Sequence, residues 1–424
     1  WRTPPSATAE NFAGATRLTN PFYDPYQVLT KVYAEGAHLK IALAEAPVEE
    51  AHRARTVKIC YGVLEHDAYL TLCIRSVAEK NPKQSVRILL KIALYTLIFL
   101  DKPRYTVTDL AVSLLKKMGK GGMAGFVNAA LRRFDPAKVV LPAGDEGLAV
   151  TTPYPLFVIR RLRAEYGDRT ESIVRAKSGG VSVRFVRGEE TYLSRPHIVT
   201  PFAHLFLFEH FTRDAAFFAG DYTFQSVGSV AICDVVEGCD RFLDACAAPG
   251  GKSVLLSEKC GHVTACELHA HRVSLIEAYC ARMGRENVTA MQADSSVFRP
   301  ELEEAFDGVL CDVPCSGFGT VAENPDLPLN KTEASLSELH TVQAAILRNC
   351  ARYVRRGGHL YYSTCSVLGE ENDAIVLEFL SGHSEYELCA AESPLDHVRT
   401  KCGIQFLPDT AYGAGFYIAK MRRL

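Results

Sequence analysis

The sequence predicts a multidomain protein, with an all-α helical bundle followed by an α/β domain that has a parallel sheet. Apolar residues recur at three- and four-residue spacing from Pro25 to Phe134, which indicates amphipathic helices. From Arg241 onward, short β-rich runs alternate with helical runs, which indicates βαβ units. The length of 424 residues accommodates two or three domains of ~100–200 residues. We therefore divide the chain into a polar tail (1–20), a helical domain (21–140), a linker with a small α/β subdomain (141–235) and a second α/β domain (236–424).

The helical domain is predicted from its periodicity and its breakers. The periodic residues include Leu29, Val32, Tyr33 and Ala37, and later Val107, Leu110, Ala111, Leu114 and Met118. The breakers are Pro47, Pro82, Pro103 and the pair Gly121-Gly122. These signals predict five to seven helices, and the apolar run from Ile88 to Leu100 is expected to form a core helix although Lys91 interrupts it.

Charge is distributed unevenly. The net charge is −2, so any surface that binds nucleic acid must be local. Residues 86–133 carry nine basic side chains against Asp101 and Asp109, a balance of 9 − 2 = +7. The nine are Arg87, Lys91, Lys102, Arg104, Lys116, Lys117, Lys120, Arg132 and Arg133. A solvated face and a phosphate-binding face both remain open.

The 14 cysteines include no C-x-x-C pair, so the spacing of a zinc site is absent and we expect no metal. A disulfide framework is not expected in a chain whose core is large enough, with 48% hydrophobic residues. We expect a reducing, cytoplasmic compartment. No run reaches the ~18 apolar residues of a membrane span, so no membrane association is expected.

A glycine-containing loop runs from Phe242 to Ser253, with the sequence FLDACAAPGGKS. A strand is expected to end at Asp244 and a helix to begin near Lys252, so that a ligand can approach the backbone closely. The helix N-terminus would then favour an anionic or polar group. A phosphate-binding P-loop would need its first glycine at Cys246, and a dinucleotide loop would need G-x-G-x-x-G. The third possibility is a loop that binds a nucleoside cofactor.

Acidic residues follow the next two predicted strands. Glu267 ends the strand at 263–267, where a carboxylate can accept hydrogen bonds from ribose hydroxyls. Asp294 follows the strand at 288–291, where an adenine amino group would be read. Each alone would be expected to be a surface acid. Their shared place at the tips of successive strands favours ligand binding.

Two cysteines follow two further predicted strands. Gly308–Cys311 leads to Asp312 and Cys315, and Gly358–Tyr362 leads to Cys365. A single cysteine is usually a buried, inert thiol. Two cysteines in polar loops at one end of the same sheet, near the glycine loop, are instead candidates for chemistry.

Three motifs, DACAAPGGK, DVPCSGFGT and STCS, resemble the cofactor, Pro-Cys and Thr-Cys motifs of the NOL/NOP/Sun family of RNA cytosine-5 methyltransferases. The segment GMAGFVNAALRRF (122–134) resembles the NusB-like domain of the RsmB (Sun, Fmu) branch. The resemblance implies an N-terminal NusB-like, RNA-binding domain and a Rossmann-like catalytic domain. It also implies S-adenosylmethionine as cofactor and a cytosine of small-subunit ribosomal RNA, free or in early assembly, as substrate; we expect a monomer.

The resemblance also implies residue roles. Cys365 would attack carbon 6 of cytosine, and Cys315 would assist loss of the carbon 5 proton and release of the RNA. Asp312 would contact the cytosine edge, and Lys252 would activate the Cys365 thiol or hold the loop. The target base must leave its stack to expose carbon 6. The implied cofactor-binding set is Asp244, Ala245, Cys246, Ala247, Ala248, Pro249, Gly250, Gly251, Lys252, Glu267, Arg272, Asp294 and Asp312.

The sequence departs from the family pattern at four places, which we interpret as RNA-facing. Phe185 stands where asparagine is expected, and Ala414 where aspartate is frequent. The stretch beginning Gln225-Ser226 lacks the usual acids, and no arginine stands shortly before Asn324. Two alternative functions remain open: methylation of transfer RNA by the same chemistry, and a non-catalytic RNA-binding or assembly factor.

Overall fold

The structure is a computed structural model that describes residues 20–424, so the predicted polar tail lies outside the described residues except for Asn20. The chain divides into two compact units, one ending at Pro142 and one running from Ala143 to Leu424.

The first unit is all-α, and the prediction of five to seven helices is confirmed at its upper limit. Between residues 20 and 142 the helices are α1 (Tyr23–Glu35), α2 (Leu39–Glu45), α3 (Glu50–Glu65), α4 (Asp67–Val77), α5 (Gln84–Ile98), α6 (Arg104–Lys117) and α7 (Ala124–Arg133). The predicted breakers fall between helices, since Pro47 separates α2 from α3 and Pro103 immediately precedes α6.

Helix α5 is the core helix that the apolar run predicts, and its lysine is buried with it. Lys91 is 4% exposed and its Nζ lies 2.5 Å from Oδ1 of Asp67 on α4. The hydroxyl of Tyr33 donates to the same carboxylate, and the Tyr33 ring lies 4.8 Å from the ammonium. A buried charge is tolerated because it is paired and hydrogen-bonded. Lys91 therefore does not belong to a basic surface, which corrects the set of nine cations named above.

The second unit begins with helices and a small antiparallel sheet. The elements are α8 (Gly144–Thr151), α9 (Leu156–Tyr166), α10 (Thr170–Arg175), β1 (Val181–Phe185), β2 (His197–Val199), β3 (Leu205–Phe208), α11 (Ala215–Phe218) and β4 (Tyr222–Phe224). The strand order is β2-β3-β1-β4, and aromatic side chains fill one face of this sheet.

A nine-stranded sheet follows, and the predicted parallel βαβ arrangement is confirmed. Its elements are α12 (Val227–Val235), β5 (Arg241–Asp244), α13 (Gly251–Leu256), β6 (His262–Glu267), α14 (Ala270–Arg282), β7 (Val288–Gln292), β8 (Phe306–Asp312), α15 (Glu333–Ala351), β9 (Val354–Thr364), α16 (Asp373–Gly382), β10 (Tyr386–Cys389), β11 (Val398–Arg399), β12 (Gly403–Phe406) and β13 (Phe416–Arg423). The order is β11-β12-β13-β9-β8-β5-β6-β7, with β10 beside β13. Strands β5 to β9 are parallel, and β13 joins β9 antiparallel.

The strand order places a topological switch at β5. The chain leaves β5 for β6 and β7 on one side, and then returns to β8 on the other side. Loops after β5 and β8 therefore diverge above the sheet and leave a crevice at its carboxyl edge, which is where doubly wound sheets bind ligands. The glycine loop follows β5 and Asp312 ends β8, so both lie at this crevice.

Candidate active site

The glycine loop lies across the carboxyl edge of the sheet, as the sequence predicts. It is fixed by backbone hydrogen bonds: Ala245 N–H donates to Leu310 O (2.9 Å) and Ala247 N–H donates to Cys266 O (2.8 Å). Gly250 has φ +103°, a conformation that favours glycine, and a Cβ there would lie 3.3 Å from Cα of Ile276. The loop is thereby held close to α14 with its outer backbone free of bulky side chains.

Asp244 lies beneath this loop and is 1% exposed. Its Oδ2 accepts a hydrogen bond from the Ser253 hydroxyl (2.7 Å), whereas Oδ1 is buried and has no hydrogen-bond partner among residues 20–424. Burial raises the pKa of Asp244 to about 6, and the nearby Asp312 carboxylate adds to that rise. Such a buried acceptor can be satisfied by an ordered water or by a ligand.

The acids at the next two strand tips are brought to the same edge. Glu267 is 5% exposed, accepts a hydrogen bond from His269 N–H (3.0 Å) and lies 3.5 Å from the Arg272 guanidinium. Arg272 also donates to Ala248 O (3.3 Å), which ties β6 to the glycine loop. Asp294 is exposed, and its Oδ1 accepts from the hydroxyl of Ser296 (2.6 Å). The three predicted acids thus line successive strand ends.

Asp312 links the glycine loop to the cysteine loops. Its Oδ2 accepts from Lys252 Nζ (2.7 Å) and its Oδ1 accepts from the Ser363 hydroxyl (2.7 Å). Burial lowers the pKa of Lys252, but the ion pair with Asp312 outweighs it and the net pKa is raised. Lys252 is therefore a permanent cation, and its ammonium group donates a hydrogen bond to Asp312.

The two predicted cysteines meet. Sγ of Cys315 lies 3.0 Å from Sγ of Cys365, and Cys365 N–H donates to Sγ of Cys315 (3.2 Å). Both thiols are free and half-buried, whereas nine of the 14 are fully buried. The contact with Cys365, together with burial, holds the pKa of Cys315 well above its ordinary range. The pair therefore places the protonated Cys315 thiol beside the equally half-buried Cys365 thiol.

Two network residues were missed by the sequence reasoning. Glu371 (1% exposed) accepts hydrogen bonds from Ser316 and Ser366, and Asn372 (2% exposed) accepts one from Thr364 Oγ1 (2.6 Å). The signal was present, because an acidic and an amide residue follow the STCS motif within six positions. A polar run in a loop ordinarily indicates exposed residues, so the pattern did not predict that Glu371 and Asn372 are buried.

Comparison with known proteins gives the family. The family described as 16S rRNA methyltransferase RsmB/F matches residues 234–422, and the NusB family matches residues 26–136. The ribosomal RNA small subunit methyltransferase B of Xylella fastidiosa is 30% identical over 425 residues, covering 93% of this chain and 98% of its own length. The chain belongs to the ribosomal RNA small subunit methyltransferase B family.

A second relative and a solved structure are similar to this chain over most of its length. The probable ribosomal RNA small subunit methyltransferase B of Bacillus subtilis is 27% identical, covering 91% of this chain and 94% of its own length. Among solved structures, the protein PH0851 superposes with a TM-score of 0.82 at 22% identity, over 96% of this chain and all of its own. That structure supports the fold of this methyltransferase B chain.

Two of the positions at which the chain departs from the family pattern, Phe185 and Ala414, are buried and therefore not RNA-facing, which corrects our interpretation of them. Phe185 and Ala414 are each 2% exposed, and Phe185 packs among aromatic rings of the small sheet. The Ser226 hydroxyl caps α12 by accepting from Ser229 N–H (3.2 Å). The neighbouring Arg184 donates to Gln225 Oε1 (2.8 Å), and Gln225 donates to Gly251 O (3.0 Å). Arg184 and Gln225 therefore support the glycine loop through Gly251.

The NusB-like unit of this methyltransferase B chain has a basic groove of about 800 Å³ between α6 and α7. Its lining includes Arg104, Tyr105, Lys116, Asn128 and Arg132. Tyr105 is 79% exposed, so its ring is available for stacking. No group of three potential metal-binding side chains occurs within residues 20–424, and no helix in that part of the chain is long and apolar enough to cross a membrane.

Proposed function

We propose that this protein transfers a methyl group from S-adenosylmethionine to carbon 5 of a cytosine in small-subunit ribosomal RNA. The observation that carries the proposal is the contact between the two thiols of Cys315 and Cys365, 3.0 Å apart at the carboxyl edge of a doubly wound sheet. Membership of the methyltransferase B family supports the reaction class. The names of the relatives supply the choice of RNA.

The residues at the crevice fit such a cofactor. The unpartnered Oδ1 of Asp244 is an acceptor for a polar hydrogen of a ligand, and the φ of Gly250 leaves the loop backbone open to close approach. Glu267 would hold ribose hydroxyls and Asp294 the adenine amino group, as the strand-tip geometry suggests. The other members of the loop, Ala245, Cys246, Ala247, Ala248, Pro249 and Gly251, would line the cofactor, and Arg272 would orient Glu267. When bound, the cofactor supplies an electrophilic methyl group on a sulfonium.

Cys365 would act as the nucleophile. Its thiolate adds to carbon 6, a carbon–sulfur bond forms, and the electrons of the 5,6 double bond move so that carbon 5 becomes enamine-like. Carbon 5 then accepts the methyl group. Transfer of the carbon 5 proton to solvent water, assisted by Cys315, restores the 5,6 double bond and expels the Cys365 thiolate. This is covalent catalysis, in which one difficult step is divided into easier ones.

Cys315 and Asp312 would serve the other steps. Because the pKa of Cys315 is held well above its ordinary range, this thiol stays protonated while Cys365 attacks, and it lies close enough to assist the release step. Asp312 would hydrogen-bond the cytosine edge and stabilise the adduct, oriented by Lys252 and Ser363. Lys252 thus acts through Asp312 and through the end of the glycine loop, where helix α13 begins.

The basic groove of the NusB-like unit would bind part of the RNA. Arg104, Lys116 and Arg132 supply positive charge beside the exposed ring of Tyr105. Cations that follow a phosphate backbone, together with an aromatic platform for a base, are the usual combination for single-stranded nucleic acid. A local basic surface also explains how a chain of net charge −2 can bind RNA.

The test uses labelled cofactor and small-subunit RNA that lacks the methyl group. We expect Cys365→Ala to abolish label transfer, because no adduct can form. We expect Cys315→Ala to accumulate a covalent protein–RNA adduct on a denaturing gel, because release is slowed. Cys389→Ala is the matched control, since Cys389 is also half-buried but lies on β10 away from the site.

Three outcomes would contradict the proposal. Normal turnover by Cys315→Ala would show that the assigned roles are wrong. Transfer of label to transfer RNA but not to ribosomal RNA would move the substrate to the alternative class, and absence of transfer to either by folded protein would favour the non-catalytic factor. Bisulfite sequencing of the RNA pools would then identify the cytosine.

A further inference from the structure

Glu371 lies in the loop between β9 and α16 and is 1% exposed. Its backbone is anchored because the Tyr362 hydroxyl donates to Glu371 O (2.6 Å). No lysine, arginine or histidine within residues 20–424 forms an ion pair with its carboxylate. An unpaired buried carboxylate is expensive, so the surrounding hydrogen bonds must stabilise it.

Both carboxylate oxygens of Glu371 are used by the two cysteine loops. Oε2 accepts from the Ser316 hydroxyl (2.5 Å) and from the Ser366 hydroxyl (2.5 Å). Oε1 accepts from Ser316 N–H (2.8 Å) and from Gln343 Nε2 (3.0 Å), and Gln343 also donates to Pro314 O (3.0 Å). Ser316 follows Cys315 directly, and Ser366 follows Cys365 directly.

We infer that Glu371 is a positioning residue that joins the Cys315 and Cys365 loops and sets the separation of the two thiols. The inference rests on the proposed function only for its consequence in catalysis, since the geometry stands without it. The two loops lie 50 residues apart in sequence. Besides Glu371 they are joined by the thiol pair with its backbone bond, by the contact of the Ser316 and Ser366 hydroxyls (3.3 Å), and by Gly319 N–H, which donates to Cys365 O (2.9 Å). Glu371 is the acceptor that both serines share. One carboxylate therefore holds both loops from below.

The physical consequence follows from the precision that catalysis requires. A displacement of about 1 Å at a reacting group can reduce a rate by about 100-fold. If the tether is removed, Ser316 and Ser366 no longer share an acceptor and the loops can separate. Substrate binding by other surfaces would not change, so the effect belongs to the turnover number rather than to the KM for RNA.

The experiment measures thiol proximity directly in the full chain. Diamide accepts two electrons and two protons from a pair of thiols as their sulfur–sulfur bond forms, and the rate for Cys315 with Cys365 is read by mass spectrometry of peptides. We expect Glu371→Ala to slow this cross-link at least tenfold. The cross-linking rate of Glu371→Gln should lie between those of the parent and Glu371→Ala. Its amide keeps one acceptor oxygen, and a serine hydroxyl can accept a hydrogen bond from the amide nitrogen.

The chain contains its own control for the oxidant. Sγ of Cys239 lies 3.9 Å from Sγ of Cys260, at the other end of β5 and β6. The Cys239–Cys260 cross-link should form at the same rate in every variant. Ser316→Ala and Ser366→Ala remove one tether each and should slow the Cys315–Cys365 cross-link singly, whereas Ser257→Ala removes an equally buried hydroxyl elsewhere and should not.

Turnover is measured beside the cross-link. We expect Glu371→Ala to lower kcat for methyl transfer about 100-fold with the KM for RNA within threefold of the parent value. An unchanged Cys315–Cys365 cross-linking rate in folded Glu371→Ala would overturn the inference. If that variant does not fold, unchanged rates in both serine variants overturn it instead. Because the cross-link requires no RNA or cofactor, failure of the proposed methylation would leave this result readable.

Discussion

At the scale of single residues, Asp244 makes stability depend on pH in an unusual direction. Its folded pKa is raised to about 6, against about 3.9 for an unfolded aspartate. The folded state therefore binds the proton more tightly than the unfolded state between these values. Stability that depends on this group falls as the pH rises through that window, and the cost is complete above about pH 6.

Asp244→Asn removes this cost because the amide does not ionise. We expect the difference in free energy of unfolding, variant minus parent, to grow by about 1 kcal/mol between pH 5 and pH 7.5. Urea titrations at the two pH values measure it. Asp168→Asn is the control, since it makes the same substitution on a fully exposed side chain. A difference that shrinks with rising pH would contradict the assigned environment.

At the scale of elements, the small antiparallel sheet packs an aromatic core on one face and supports the glycine loop from the other. The ring of Phe185 lies 5.4 Å from that of Tyr192 and 5.7 Å from that of Tyr222, centroid to centroid. Its neighbour Arg184 points to the other face and reaches Gln225, which holds Gly251. Alternate residues of β1 therefore have different roles: Phe185 packs in the aromatic core, and Arg184 supports the glycine loop.

Phe185→Asn would restore the residue that the family pattern contains, yet it should destabilise this chain. We expect a loss of about 3–5 kcal/mol, because a large buried ring is removed and a polar amide is buried in its place. Phe185→Leu should cost about 1–1.5 kcal/mol. Equilibrium unfolding in urea measures both variants. Equal stability of the asparagine variant and the parent would show that this sheet does not require the ring.

The sequence predicted elements well where the signal is local. The strand expected at 263–267 is β6, which ends at Glu267 as predicted, and the glycine loop follows β5 as expected. Strands β10 to β13 were not predicted. Strand β13 pairs with β9, and β10 and β12 pair with β13, so their place in the sheet depends on residues distant in sequence. Glu371 was missed for the same reason, since its burial requires the loops that carry Ser316 and Ser366 to meet above it.

At the scale of the whole molecule, the proposed catalytic site and the proposed RNA-binding groove lie in different compact units, so catalysis and RNA affinity should be separable. The thiols and the crevice belong to the second unit, and the basic groove belongs to the first. A change confined to the groove should therefore alter how tightly RNA is held and leave the chemical step intact.

The double reversal Lys116→Glu with Arg132→Glu tests this separation. We expect the KM for small-subunit RNA to rise at least tenfold while kcat changes less than twofold, because two attractive phosphate interactions are replaced by repulsion. The slope of log affinity against log salt should become shallower by about 1.4, since each neutralised phosphate of single-stranded RNA adds ~0.7 to it. The matched control is Arg55→Glu with Lys58→Glu, which makes the same change in net charge on exposed positions of α3. Equal effects of the two pairs would show that overall charge, rather than the groove, sets RNA affinity.

Tyr105 tests the second component of RNA binding, because an aromatic ring binds a base by stacking rather than by charge. Tyr105→Phe should keep stacking and affinity. Tyr105→Ala should weaken binding by about 1–3 kcal/mol without changing the salt slope, because a base then has no aromatic platform. Titration of small-subunit RNA at several salt concentrations measures both quantities. Equal affinity of the alanine and phenylalanine variants would show that the ring does not stack on a base, and the groove would then act on the RNA through charge alone.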